Sequence, residues 1–161
     1  MKSVKWSSRR RGAIFRKPAF VIAHQPQNAR DHHPFAERPR TEAALGWAGS
    51  HTVIVDRPEG KAGGNGLGFN GGQLLGLAIG GCLCNDLRYV AHGLGVGLNK
   101  IEADVTVRFE GNPTLAVAAT VAIRVDAADE KTDVRALIER AVAISTVANS
   151  VRHGFPVTVP G

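Results

Sequence analysis

Cys82 and Cys84 are the only thiols of the 161-residue chain, and both lie in one apolar, glycine-rich run from Asn70 to Ala91. A thiolate attacks peroxides and disulfides and binds metals, whereas a buried neutral thiol is a small inert hydrophobe. The neighbours decide between the two. On a helix, Cys82 shares its face with Ala78, Asn85, Asp86 and Tyr89. Asp86, one turn on, disfavours a thiolate by like-charge repulsion. A mid-helix position gains nothing from the helix N-terminal dipole. Cys84 lies over Gly80 and has Arg88 at i+4, a cation that favours its thiolate. Both cysteines are therefore candidate nucleophiles, and inert packing is the alternative for each. They point about 200° apart around a helix and cannot easily pair there.

Other chemistries fit less well. Cys82, Asp86 and His92 lack the spacing of a metal site: there is no CxxC and no HxxxH. Gly66-x-Gly68-x-x-Gly71 formally matches the dinucleotide fingerprint and precedes a helix. Asp56, closing the preceding strand, lies about ten residues upstream, so the short strand-to-helix turn is missing. The expected acid would fall inside the helix, at Asp86, and no Walker lysine follows the glycines. His51, His92 and His153 are scattered and read as surface residues. No cofactor and no metal is expected.

The net charge of +6 is unevenly placed. Residues 1–40 hold ten Lys/Arg and two acids, whereas residues 41–161 hold ten and twelve. Basic character thus belongs to the N-terminal segment, and nucleic-acid binding is not expected except through that tail. Ser8-Arg9-Arg10-Arg11 is faintly like a twin-arginine signal, but Arg16, Lys17 and Pro18 break the apolar stretch after it. Four of the eight prolines fall at 18, 26, 34 and 39. His24, His32 and His33 are metal-capable, yet a flexible tail gives them no fixed geometry. We expect residues 1–42 to be a basic, disordered extension and residues 43–161 to be one domain. The length suffices for a core without disulfides. No unbroken apolar run reaches the roughly 18–20 residues of a membrane span. Two cysteines two apart are no disulfide framework, and a reducing, cytoplasmic setting is the simplest reading.

The elements that must position the thiols follow from periodicity. Trp47 to Asp56 suits a strand, and Arg57-Pro58-Glu59-Gly60 a turn. A glycine-rich loop, Gly63 to Gly72, leads to a helix from about Gly71 or Gln73 to about His92, with Gly93 and Gly95 ending it. Gly76 and Gly80 flatten one side of that helix, for a second helix (the dimer mate's) or for packing within the subunit. Ile101, Ala103, Val105, Val107 and Phe109 alternate with polar residues, and so do Leu115 to Val125 after the turn Gly111-Asn112-Pro113. That period of two predicts an antiparallel hairpin. Asp129 to about Ser145 carries a helical apolar stripe with Ser145 on it. Phe155 to Val159 is expected to be a short closing strand. The fold class is α+β, helices on a mostly antiparallel sheet.

Leu74-Leu75-x-x-x-x-Gly80-Gly81-Cys82, followed by Arg88-Tyr89-x-Ala91, resembles the OsmC/Ohr family of thiol-dependent hydroperoxide reductases. The resemblance runs over about residues 45–160, through Ser145-Thr146-Val147-Ala148-Asn149-Ser150-Val151-Arg152 to Gly154-Phe155-Pro156-Val157. It implies an OsmC-like fold and an intertwined homodimer with sites at the subunit interface. It also implies a peroxidatic cysteine at Cys82, held by an Arg that a Glu orients, and a resolving cysteine at the position of Ser145. An external dithiol then reduces the disulfide. The chain departs from the pattern: Ser145 cannot form a disulfide, Gly72 stands where Glu is usual, and Gly46 to Val53 contains no Arg. Arg57 is the nearest substitute. This matches a subgroup lacking the second cysteine. Asn149 and Arg152 match the second motif as capping or packing residues as readily as chemical ones.

Two functions follow from the resemblance. One is a hydroperoxide reductase that uses Cys82 without the usual resolving thiol, with an external thiol or Cys84 clearing the sulfenic acid. The other is a catalytically degenerate dimer that binds a small apolar ligand at the subunit interface.

Overall fold

The computed structural model describes residues 30–161. It is α+β: a three-stranded antiparallel sheet, a long helix, a two-stranded antiparallel hairpin and two further helices. The first sheet holds β1 (Phe35–Glu37), β2 (Ala44–Ala48) and β3 (His51–Val55) in that order. The single strand expected over 47–56 is in fact the end of β2, a turn and β3. Gly49 adopts φ +58°, which lets Gly49-Ser50 turn the chain in two residues. β1 lies inside the segment expected to be a disordered extension, and it pairs with β2 from Phe35↔Gly46 to Glu37↔Ala44. The basic run at Arg9 and His24 lie outside the described residues; His32 and His33 are exposed.

The loop from Asp56 to Phe69 is ordered by a buried carboxylate. Asp56 Oδ2 accepts the backbone N–H of Asn65 at 3.0 Å and of Leu67 at 3.1 Å, and Oδ1 accepts that of Arg57 at 2.8 Å. These bonds hold its carboxyl below the ordinary range. The Leu67 N–H contributes most, against the opposing effect of burial. The sequence marks Asp56 only as the end of a strand and gives no sign of this role.

α1 (Gly71–Gly93) opens on a reciprocal cap. Asn70 Oδ1 accepts the N–H of Gln73, and Gln73 Oε1 accepts the N–H of Asn70, each at 2.9 Å. That box offsets two poor helix formers, Gly71 and Gly72, in the first turn. Ile79, Leu83, Leu87 and Val90 form its buried stripe. Leu87 and Val90 meet Leu137 and Ala141 in the core, and each such burial contributes about 1.5–3 kcal/mol. By length and composition α1 is able to cross a membrane, contrary to the expectation from unbroken apolar runs. Its packing on the rest of the subunit, with Asp86 fully buried along it, makes it a core helix.

The hairpin forms as the alternation predicted, from β4 (Leu98–Glu110) and β5 (Leu115–Ala127), with Ile101↔Val125, Ala103↔Ile123 and Val105↔Val121 in register. Its distal part, Arg108 to Thr120, is exposed. Within the subunit Gly76 and Gly80 face this hairpin: a Cβ on Gly80 would lie 2.8 Å from Val105 Cγ2. α2 (Val134–Ile144) starts later than expected because Asp133 caps it, accepting from Ala136 N at 3.0 Å. Ser145 leaves the helical region (φ −61°, ψ 110°), and α3 (Thr146–His153) follows. The expected strand over 155–159 does not form. Residues 154–161 are exposed and irregular, pair with nothing among the described residues, and include two prolines that lack the ladder donor.

Candidate functional site

The kink between α2 and α3 brings Ser145 against the middle of α1. Ser145 Oγ donates to Cys82 Sγ at 3.5 Å, and Cys82 Sγ donates to Asp86 Oδ2 at 3.4 Å. Ser145 and Asp86 have no exposed surface, while Cys82 is half-buried. The result is a hydrogen-bonded chain, hydroxyl to thiol to carboxylate, at the meeting of α1 with α2 and α3.

Cys84 faces the other way. It lines an open groove between α1 and β4, with Phe69, Leu77, Gly80, Val105 and Phe109. Neither cysteine is bonded to the other. Arg88 does not complete a thiolate site at Cys84 as its spacing suggested, because Arg88 Nη1 donates to the carbonyl of Leu98 at 2.6 Å. That bond fixes the start of β4.

The substitute guanidinium is also elsewhere. Arg57 Nη2 bonds Glu42 Oε2 at 2.9 Å and the Glu42 carbonyl at 3.3 Å. Gly72 has a steric reason to lack a side chain: a Cβ there would lie 2.8 Å from Phe109 Cζ and 3.3 Å from Asn70 Oδ1. The ring of Phe109 occupies the space a Glu at this position would need. Asn149 acts as a brace, its Nδ2 donating to the Ala143 carbonyl at 3.1 Å while its Oδ1 accepts from Arg152 Nη1 at 2.8 Å. His51, His92 and His153 are exposed, and no group of three metal-capable side chains exists among the described residues.

A half-open cavity of about 540 Å³ lies between α1, the β4–β5 hairpin, α2 and α3. Leu75, Ile79, Ile123, Ile138 and Val142 are among its walls, and Arg152 is its one charged residue. Sequence reasoning had not found it. The stripes of α1 and α2 predicted buried faces but not the gap left between them.

The model of the family described as "OsmC-like protein" matches residues 63–160. The chain belongs to the OsmC-like protein family. The fold supports this assignment across most of the chain. An OsmC-like protein from Mycoplasma pneumoniae is 15% identical, with a TM-score of 0.65, over 78% of this chain and 89% of that one. An organic hydroperoxide resistance protein OsmC from Legionella pneumophila is 18% identical, with a TM-score of 0.57, over 78% and 90%. A third similar structure is a putative organic hydroperoxide resistance protein from Vibrio cholerae, with captopril bound in one of its active sites. It is 22% identical, with a TM-score of 0.58, over 81% and 90%. No curated protein matches the chain. Within this OsmC-like protein, the fold brings Cys82 and Ser145 side by side.

Proposed function

We propose that this OsmC-like protein is a one-cysteine thiol peroxidase, acting as a homodimer on organic hydroperoxides. The observation that carries the reading is the 3.4 Å contact from Cys82 Sγ to Asp86 Oδ2. A buried carboxylate in contact with the thiol is a ready base once sulfur begins to bond to oxygen. The Cys82 sulfur attacks one peroxide oxygen, the O–O bond breaks, and Asp86 passes the thiol proton to the departing alkoxide. The products are a sulfenic acid on Cys82 and an alcohol: sulfur is oxidised and the peroxide reduced. Ser145 offers a hydroxyl to the sulfenic acid but no thiol. An external dithiol therefore clears it, first as a mixed disulfide with loss of water, then by closing its own disulfide. The homodimer is supported by exposed apolar side chains along the α1 groove and the C-terminal segment, among them Leu77, Phe109, Phe155 and Val157.

The test mixes reduced protein with cumene hydroperoxide and reads Cys82 by mass spectrometry. Stoichiometric sulfenic acid is expected, absent in Cys82→Ser and unchanged in Cys84→Ser. Asp86→Asn, which keeps the shape and removes the base, is expected to slow the step about 100-fold. Thiols that stay reduced under peroxide excess refute the reading.

The cavity favours a second reading, a catalytically degenerate dimer that holds a small apolar ligand. Its volume of about 540 Å³ and its apolar walls are those of ordinary small-molecule sites. Binding of an apolar probe by protein whose thiols stay inert supports this reading over the first.

A further inference from the structure

We infer that Asn149 is a positioning residue of the Cys82 site: its side-chain amide bridges the break between α2 and α3 and so holds Ser145 on the thiol. This role rests on the Cys82 site of the proposed reaction and adds to it a residue that acts through Ser145. Three observations carry it. First, Ser145 stands at the N-cap of α3, where a serine hydroxyl ordinarily accepts a backbone N–H of the first turn, yet its side chain makes no such bond. Its Oγ is directed at Cys82 Sγ instead, 3.5 Å away. The hydroxyl is withheld from the helix end and given to the thiol, so another group has to hold the break.

Second, Asn149 ties down the backbone before and after Ser145. α2 stops at Ile144, and Ser145 turns out of the helical region (φ −61°, ψ 110°). In an unbroken helix the Ala143 carbonyl would accept the N–H four residues on; at a helix end it is left without that partner. Asn149 Nδ2 donates to it at 3.1 Å, and the Asn149 main-chain N–H donates to the Ser145 carbonyl at 3.0 Å. Third, the amide can face only one way. Its Oδ1 accepts from Arg152 Nη1 at 2.8 Å. A guanidinium only donates and a carbonyl only accepts. Nδ2 must therefore lie on Ala143 and Oδ1 on Arg152, an arrangement that neither a carboxylate nor an alkyl side chain can reproduce.

Glutathione redox buffers test this on the full chain carrying Ser145→Cys and Cys84→Ser, in which positions 82 and 145 hold the only thiols. The balance of disulfide and dithiol gives the effective concentration of one sulfur at the other, and so reports how firmly the break is held. Adding Asn149→Ala is expected to lower it about fivefold, the factor for one net hydrogen bond. Asn149→Asp keeps the volume and gives Arg152 a charged partner. A packing role predicts no loss in that variant, whereas an oxygen set against the Ala143 carbonyl predicts a loss at least as large as with alanine. Ser150→Ala, at a half-buried position of the same helix, is expected to change nothing. Circular dichroism confirms that each variant folds. With Ser145 intact, Asn149→Ala is expected to slow sulfenic acid formation on Cys82 by cumene hydroperoxide by a similar factor. If Asn149→Asp keeps the parent value, or Ser150→Ala loses as much as Asn149→Ala, the positioning role is overturned. If Cys82 stays reduced under peroxide in every chain while the effective concentrations fall as expected, the peroxidase reading fails and the positioning role stands.

Discussion

The two sides of α1 hold one cysteine each and differ in everything else. On one side Cys82 is wedged between two fully buried polar groups, Ser145 and Asp86, drawn from two parts of the chain. On the other, Cys84 lines an open groove among glycines and aromatic rings, and the nearest cation in sequence, Arg88, is spent on the Leu98 carbonyl. Local electrostatics along the sequence favoured Cys84. Tertiary structure removes that advantage, because the guanidinium that would favour a Cys84 thiolate is used elsewhere. Burying a carboxylate and a hydroxyl is unfavourable unless they are bonded. The Cys82 side is thus a committed polar cluster, and the Cys84 side is a surface shaped by backbone approach.

The largest effect that separates the two sides is covalent. Replacing Ser145 by Cys puts a second sulfur where an oxygen already lies 3.5 Å from Cys82 Sγ. One equivalent of hydroperoxide is then expected to yield a disulfide between positions 82 and 145, read as the loss of two mass units in their linked peptides. The wild-type chain should form no such link, and Cys82 should never link to Cys84 within one subunit, since they leave the helix in opposing directions. A Ser145→Cys protein whose two sulfurs stay unlinked would mean that the pair positions do not meet in solution.

The next effect is steric. Gly80 and Gly81 are neighbours on α1 with opposite surroundings. A Cβ on Gly80 would meet Val105 Cγ2 at 2.8 Å, whereas a Cβ on Gly81 meets nothing within 4 Å. Gly80→Ala is expected to destabilise by about 1–3 kcal/mol through overpacking against β4. Gly81→Ala is expected to stabilise by roughly 0.5–1 kcal/mol, since alanine loses less conformational freedom in a helix. Urea unfolding of both variants checks the signs. Equal effects would show that β4 does not approach α1 closely at Gly80.

How much of this was readable in sequence depends on range. α1, the hairpin and α2 each carry a periodic pattern over ten or more residues, and all three formed. The Gly49-Ser50 turn is not evident because the apolar run Val53-Ile54-Val55 and the residues before it read as one strand. The strand over 155–159 was overread: Phe155, Val157 and Val159 alternate, but alternation supplies no pairing partner. The central contact of the site joins residues 63 apart in the chain. No spacing rule reaches across that distance, and only the family resemblance put Ser145 beside Cys82. The bonds of Arg57 and Arg88 were equally invisible, since sequence shows that a cation exists but not what it holds.

The smallest effect acts on both sides of α1 together. Asp56 orders the loop that delivers the chain to the Asn70 cap, through N–H bonds from Leu67, Asn65 and Arg57. Its carboxyl titrates below the ordinary value of 3.8 in the folded chain. The folded form therefore binds its proton less readily than the unfolded form. The stabilisation is complete above about pH 5, and it is lost as pH falls below 3.8 through the folded value. Asp56→Asn removes that charge and directs an amide N–H at backbone donors. Its urea midpoint is expected to lie below wild type at pH 6, with the gap narrowing toward pH 3 as the wild-type carboxyl gains its proton. The loop and the α1 cap lie upstream of both cysteines. Reactivity of Cys82 and accessibility of Cys84 should therefore shift in parallel in this variant. A change at one thiol alone would mean that the Asp56 loop supports one side of the helix and not its N-terminus.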